Sequence, residues 1–272
     1  MNNGRDMRKA FFSAIRIYLL YIIVPAFLML VGMMLRGTGV SPDEFFAESG
    51  NFYTVVGFAI ALWLIKRRCT KKGLSFAEEA SLSRYDVNWK KGALLAAVGL
   101  GLSLFVSCVI TLLPDWMTGT YADTSETLFR GRDQVLAIFG VGLAAPMMEE
   151  IIFRGFILNR LLKGFAEKAA VVITAVMFAV LHVNPIWIVY AFLMGLMLGY
   201  VSMKEENTVY PILLHVGFNL MSVPINLINQ KKELSDILFG NPLLIVIYGL
   251  IGLAWAALLL KKYFHNKEEQ IW

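Results

Sequence analysis

Three charged side chains interrupt an otherwise apolar stretch in the middle of this sequence: Glu149, Glu150 and Arg154, spaced around Ile151–Ile152–Phe153. Charged groups in such surroundings are costly, and they ordinarily face a bundle interior or a wet cavity. On a regular helix Glu150 and Arg154 stand i,i+4 and share a face, so they can pair. Glu149 points about 100° away from Glu150. One arginine readily neutralises one carboxylate, which makes Glu150 and Arg154 a supporting pair and Glu149 the available acid. Further along come His182, with Phe178 four residues before it, and His215, with Asn219 four residues after it. The third histidine, His265, belongs to a charged tail and reads as solvated.

These residue types contain the parts of a hydrolytic site. A buried carboxylate is a better base than an exposed one and can take a proton from water near neutral pH. A histidine can orient that water or share the proton. A second histidine and an amide can donate hydrogen bonds to an oxygen on which negative charge develops. Hydrolysis of a carbonyl compound, a peptide bond above all, fits the set. Three other readings use the same residues: an interhelical salt network, a proton relay or transporter, and a non-catalytic membrane adaptor or immunity protein.

The elements that must position these groups are membrane helices. The chain has 272 residues, 58% of them hydrophobic and only 17% charged, against about 25% charged in ordinary soluble domains. The charges cluster between long apolar runs, as expected of helices crossing a hydrocarbon core about 30 Å thick. The expected fold is an all-α, polytopic helix bundle of about eight transmembrane helices. Their ranges are 15–35, 51–65, 92–113, 135–159, 167–182, 186–203, 209–228 and 242–262, forming a single integral membrane domain over 1–272. Pro185 and Pro211 suit first helical turns, and Gly195 and Gly199 share a face that allows close helix contact. The N-terminal apolar run reads as a retained span rather than a cleaved signal.

Lys and Arg concentrate in the N-terminal tail, after the second, fourth and sixth runs, and in the C-terminal tail. The positive-inside rule then expects a multi-pass cell-membrane protein with both termini cytoplasmic. The net charge of +5 follows from this placement and forms no single basic stripe, which argues against a nucleic-acid partner. Cys69 and Cys108 fall in different surroundings, so neither a disulfide nor a metal motif is expected. The polar stretch Thr118–Asp133 receives no role.

Three motifs together carry a family resemblance: Glu149–Glu150–Ile151–Ile152–Phe153–Arg154, Phe178–Ala179–Val180–Leu181–His182 and His215–Val216–Gly217–Phe218–Asn219. In this order the chain resembles the CPBP family, the CAAX-protease and bacteriocin-processing (abortive-infection-like) intramembrane endopeptidases. The resemblance covers about 135–222, which would be the catalytic core region. It implies that Glu149 and His182 activate water, that His215 and Asn219 form the oxyanion site, and that Glu150, Arg154 and Phe178 support them. The implied substrate is a peptide or membrane protein in the lipid bilayer. No cofactor is required on this reading. Zinc held by Glu149, His182 and His215 is the alternative, although no His–Glu–x–x–His helix is present and Asn219 is a poor zinc ligand.

Overall fold

The computed structural model describes residues 3–37, 39, 41–82, 86–114, 116–119, 138–229 and 231–265. Most of the polar stretch Thr118–Asp133 lies outside them, as does the start of the fourth expected span. Among the described residues every regular element is a helix. Helix α1 spans Asn3–Arg36, α2 Pro42–Lys71, the short α3 Phe76–Glu79, and α4 Trp89–Thr111. Helix α5 is composite: Gly140–Ala144 is π-helical, Ala145–Glu150 α-helical, Ile151–Leu158 π-helical and Asn159–Leu161 α-helical. Helix α6 spans Glu167–Ala179 and tightens into a 3-10 turn at Val180–His182. Helices α7 (Pro185–Glu205), α8 (Val209–Asn229), α9 (Lys232–Phe239) and α10 (Pro242–His265) complete the order.

Six of these helices are long and apolar enough to cross a membrane: Gly4–Arg36, Glu48–Lys71, Trp89–Thr111, Pro185–Glu205, Val209–Asn229 and Pro242–His265. The protein is therefore a multi-pass membrane protein. Large apolar side chains such as Phe27, Leu30 and Met34 stand exposed along these helices, as lipid-facing residues must. The second span begins well before residue 51. The two other expected spans, 135–159 and 167–182, carry the first two motifs. Helix α5 holds Glu149, Glu150 and Arg154. Helix α6 has 13 residues, about 20 Å of rise, less than the hydrocarbon thickness.

The chain forms two compact units. The first comprises Met1–Asp86 and Met147–Pro211, the second Val87–Pro146 and Ile212–Trp272. In the first unit α1 lies along α2 and α5, and α6 and α7 form a helical hairpin. Pro25 of α1 packs directly on Gly57 of α2, where a side chain would collide with it. The hairpin closes through glycines: a methyl group at Gly195 would stand 3.1 Å from the Cα of Ala175, and one at Gly199 2.9 Å from a methyl of Val171. Asn184 caps α7 by accepting from the Ile186 N–H at 3.0 Å, with Pro185 at the first helical position, where no N–H is missed.

The segment around α3 is pinned within the same unit. The Asn159 amide donates to Ser81 Oγ at 2.9 Å, and the Thr208 hydroxyl donates to the Ala80 carbonyl at 2.7 Å. Gly155 permits this approach, since a Cβ there would lie 2.8 Å from the Ala80 carbonyl oxygen.

In the second unit α4 packs on α10. Gly101 and Gly252 face each other's carbonyls, and the Trp255 indole donates to the Ala97 carbonyl at 3.0 Å. Helix α8 crosses α4 at backbone contact: Cβ atoms at Gly99 or Gly217 would overlap the carbonyl oxygens of Leu214 and Ala96. Close approach of this kind strengthens dispersion contacts in lipid, where burial from water drives no helix association.

Candidate active site

The first unit brings together the motif residues of α5 and α6. Glu150 and Arg154 are completely buried and pair with Nη1 2.8 Å from Oε1. Arg154 also donates from Nη2 to the Gly195 carbonyl at 3.1 Å, which fastens α5 to α7. Its guanidinium carbon lies 4.8 Å from the centre of the Phe178 ring, within range of a cation–π attraction. The π-helical turns beginning at Ile151 replace the regular α-helix that the sequence reading assumed. Such turns are rare and recur at functional sites.

Glu149 has a separate partner. The Tyr21 hydroxyl, reaching from α1, donates to its Oε1 at 3.0 Å. The Tyr21 ring is buried, stacked on Phe58 with centroids 4.4 Å apart, and meets Phe153 edge-on at 5.3 Å. One helical turn earlier, the Tyr18 hydroxyl donates to the Met177 carbonyl at 3.0 Å and so joins α1 to α6. Pro25 has no N–H to offer the Tyr21 carbonyl four residues before it. The sequence reading missed Tyr21. Its visible signal was a pair of tyrosines, Tyr18 and Tyr21, at helical spacing in an apolar run just before a proline.

His182 ends the 3-10 turn, and Val183 after it has a positive φ of 57°. The ring Nδ1 lies 3.1 Å from the Phe178 carbonyl. A carbonyl only accepts, so this bond places the proton on Nδ1 and leaves Nε2 as the basic nitrogen of the neutral ring. The Phe178 ring meets the imidazole edge-on at 4.9 Å and Phe153 at 5.2 Å. Phe178 thus touches both Arg154 and His182, which gives its supporting position a physical content. From Tyr21 through Phe153 and Phe178 to His182, the aromatic contacts are continuous.

His215 and Asn219 belong to the second unit, one turn apart on α8. His215 is buried. The Asn219 amide donates to the Val141 carbonyl at 2.9 Å, which engages one of its two amide protons. Among the described residues no three His, Cys, Asp or Glu side chains group in a way that could hold a metal ion.

The arrangement in the first unit provides one carboxylate committed to an arginine, one held by a phenol, and an imidazole of fixed tautomer. Residues 131–221, about a third of the chain, match the family model described as type II CAAX prenyl endopeptidase, Rce1-like. Over that segment the chain is similar to the CAAX-protease (CPBP) family. The match supports a protease role of the endopeptidase type. Glu149, Glu150, Arg154, Phe178, His182, His215 and Asn219 all fall inside the matched segment, whereas Tyr21 lies outside it. The chain is also 26% identical over 195 residues to an uncharacterized 24.3 kDa protein of Escherichia coli, covering 70% of this chain and 83% of that one. No solved structure matches.

Proposed function

We propose that the protein is an intramembrane endopeptidase in which Glu149 and His182 activate a water molecule for attack on a peptide carbonyl. Glu149 takes the proton of the attacking water, and His182, through Nε2, orients that water or shares the proton. As the tetrahedral intermediate collapses, the proton passes to the leaving amine. The observation that carries this reading is the separation of the two adjacent acids. Arg154 pairs with Glu150, while Glu149 accepts a hydrogen bond from the neutral Tyr21 phenol. A hydrogen bond from a neutral donor orients a carboxylate without cancelling its charge.

For His215 and Asn219 the proposal rests on residue type and motif. Both side chains donate N–H groups suited to an oxygen that becomes negative in the transition state. The substrate would be a peptide or a membrane protein presented from the bilayer, with both termini of the protease in the cytoplasm. The reading uses water and side chains alone. Zinc held by Glu149, His182 and His215 is the alternative reading, which removal of metal from the purified enzyme distinguishes.

The decisive experiment compares membrane peptide pools from cells carrying the wild-type chain and Glu149→Gln. Loss of specific cleavage products in the variant, with the variant present at normal level in the membrane, supports the reading. Unchanged products would overturn it. Transport of a solute in proteoliposomes that vanishes with Glu149→Gln would instead favour a proton-coupled transporter.

A further inference from the structure

A cavity of about 80 Å³ opens in the first unit between α1, α2 and α5, far along the chain from the motif histidines. That volume is several times the roughly 10–15 Å³ needed to hold one water. Arg16, Arg68, Lys72 and Arg160 line it, over a floor that includes Ile65 and Phe156. Glu79 pairs with Arg160 from the side. No carboxylate lines the cavity itself. Arg16 spends its Nε on the Phe12 carbonyl of its own helix, and neither Arg68 nor Lys72 makes a side-chain bond among the described residues. Among the described residues four cations line this small space while the neighbouring carboxylates, Glu79 and Asp6, stand beside it rather than in its lining, a positive excess that an anion relieves.

The level of the cavity in the membrane identifies the anion's class. On α1 the sequence changes from charged to apolar between Arg16 and Ile17, and on α2 it changes back between Ile65 and Lys66. Both borders lie at the cavity. Such borders mark the headgroup layer of the bilayer. Trp63, exposed one turn inside the α2 border, carries Arg67 over its ring at 5.5 Å, as interfacial aromatics do. Guanidinium groups present forked donors that match phosphate oxygens. We infer that this cavity binds a phosphate group, supplied by the headgroup of an anionic phospholipid, with Arg16, Arg68 and Lys72 as its ligands.

The test uses the full chain, purified in neutral detergent and stripped of lipid. Thermal melting is followed with added phosphatidylglycerol, phosphatidylcholine or inorganic phosphate. Phosphatidylglycerol raises the wild-type midpoint by about 3 °C, as expected for a ligand near ten times its Kd, and phosphatidylcholine does not. The rise disappears in Arg68→Gln/Lys72→Gln. It persists in Arg67→Gln, which removes a neighbouring charge outside the cavity. The same rise with inorganic phosphate alone supports the phosphate site and assigns it to the free ion. Equal stabilisation of wild type and the double variant by phosphatidylglycerol overturns the proposal. Native mass spectrometry gives a readout that needs no variant. The wild-type chain offered equal amounts of both lipids keeps phosphatidylglycerol preferentially, and equal retention overturns the proposal.

Discussion

The Tyr21 hydroxyl of α1 donates to Glu149 Oε1 of α5 at 3.0 Å. It thereby ties the acid of the first motif to a helix more than a hundred residues away in sequence. The bond fixes one carboxylate oxygen of Glu149. Tyr21→Phe keeps the stacking on Phe58 and removes only this donor. The expected outcome is a roughly tenfold fall in kcat, the rate equivalent of one modest hydrogen bond, with KM and thermal midpoint nearly unchanged. Steady-state kinetics on a cleaved peptide, run beside melting curves, checks it. A loss confined to KM would contradict a positioning role.

The two adjacent glutamates should separate by phenotype. Glu149→Gln removes the proposed base and should cost at least about a hundredfold in rate while the protein stays folded. Glu150→Gln or Arg154→Gln leaves half of a completely buried pair, which costs about 3–5 kcal/mol. Those variants should show as loss of folded protein before loss of specific activity. Fluorescence-detected gel filtration and activity per folded molecule distinguish the two classes.

Metal removal offers a third test. If water is activated by Glu149 and His182 alone, prolonged treatment with a strong zinc chelator leaves the rate of purified enzyme unchanged. Inactivation by the chelator that added zinc reverses would replace this mechanism with a metal-dependent one.

In the second unit, packing predicts a graded response to a single methyl group. Gly217→Ala drives a Cβ into the Ala96 carbonyl of α4, a backbone atom with no room to retreat. It should destabilise by about 1–3 kcal/mol, as overpacking does. Gly142→Ala places its Cβ 3.2 Å from the end of the flexible Leu220 side chain, and should be much milder. Thermal midpoints of the two variants give the comparison directly.

Much of the helix content was legible because an apolar run of about 20 residues has few alternatives in lipid. The runs behind α4, α7, α8 and α10 appear as helices within a few residues of their expected bounds, while α1 and α2 extend well beyond theirs. The pairing of Glu150 with Arg154 was legible from i,i+4 spacing. Less legible was everything set by local departures from the α-helix. Charge counting cannot reveal the π turns of α5, and hydropathy does not register that α6 stops at Ala179. Tyr21 was hidden for another reason: its partner lies 128 positions away, and a tyrosine in an apolar run looks like any interfacial aromatic.

The wide turns over Ile151–Leu158 have a consequence for how this protein can change in length. A π turn holds about one residue more than an α turn, so losing one residue between Glu150 and Arg154 and relaxing to the regular form would keep the residues beyond Leu158 nearly in phase and re-phase those within the turns, Arg154 among them. The helix itself would survive such a deletion and still look hydrophobic and intact. Glu149 and Glu150 precede these turns and Arg154 lies within them, so the acids and their cation would no longer be in step. The first motif is therefore written in a local reading frame, one that tolerates changes of residue type on its outer face more readily than the gain or loss of a single position.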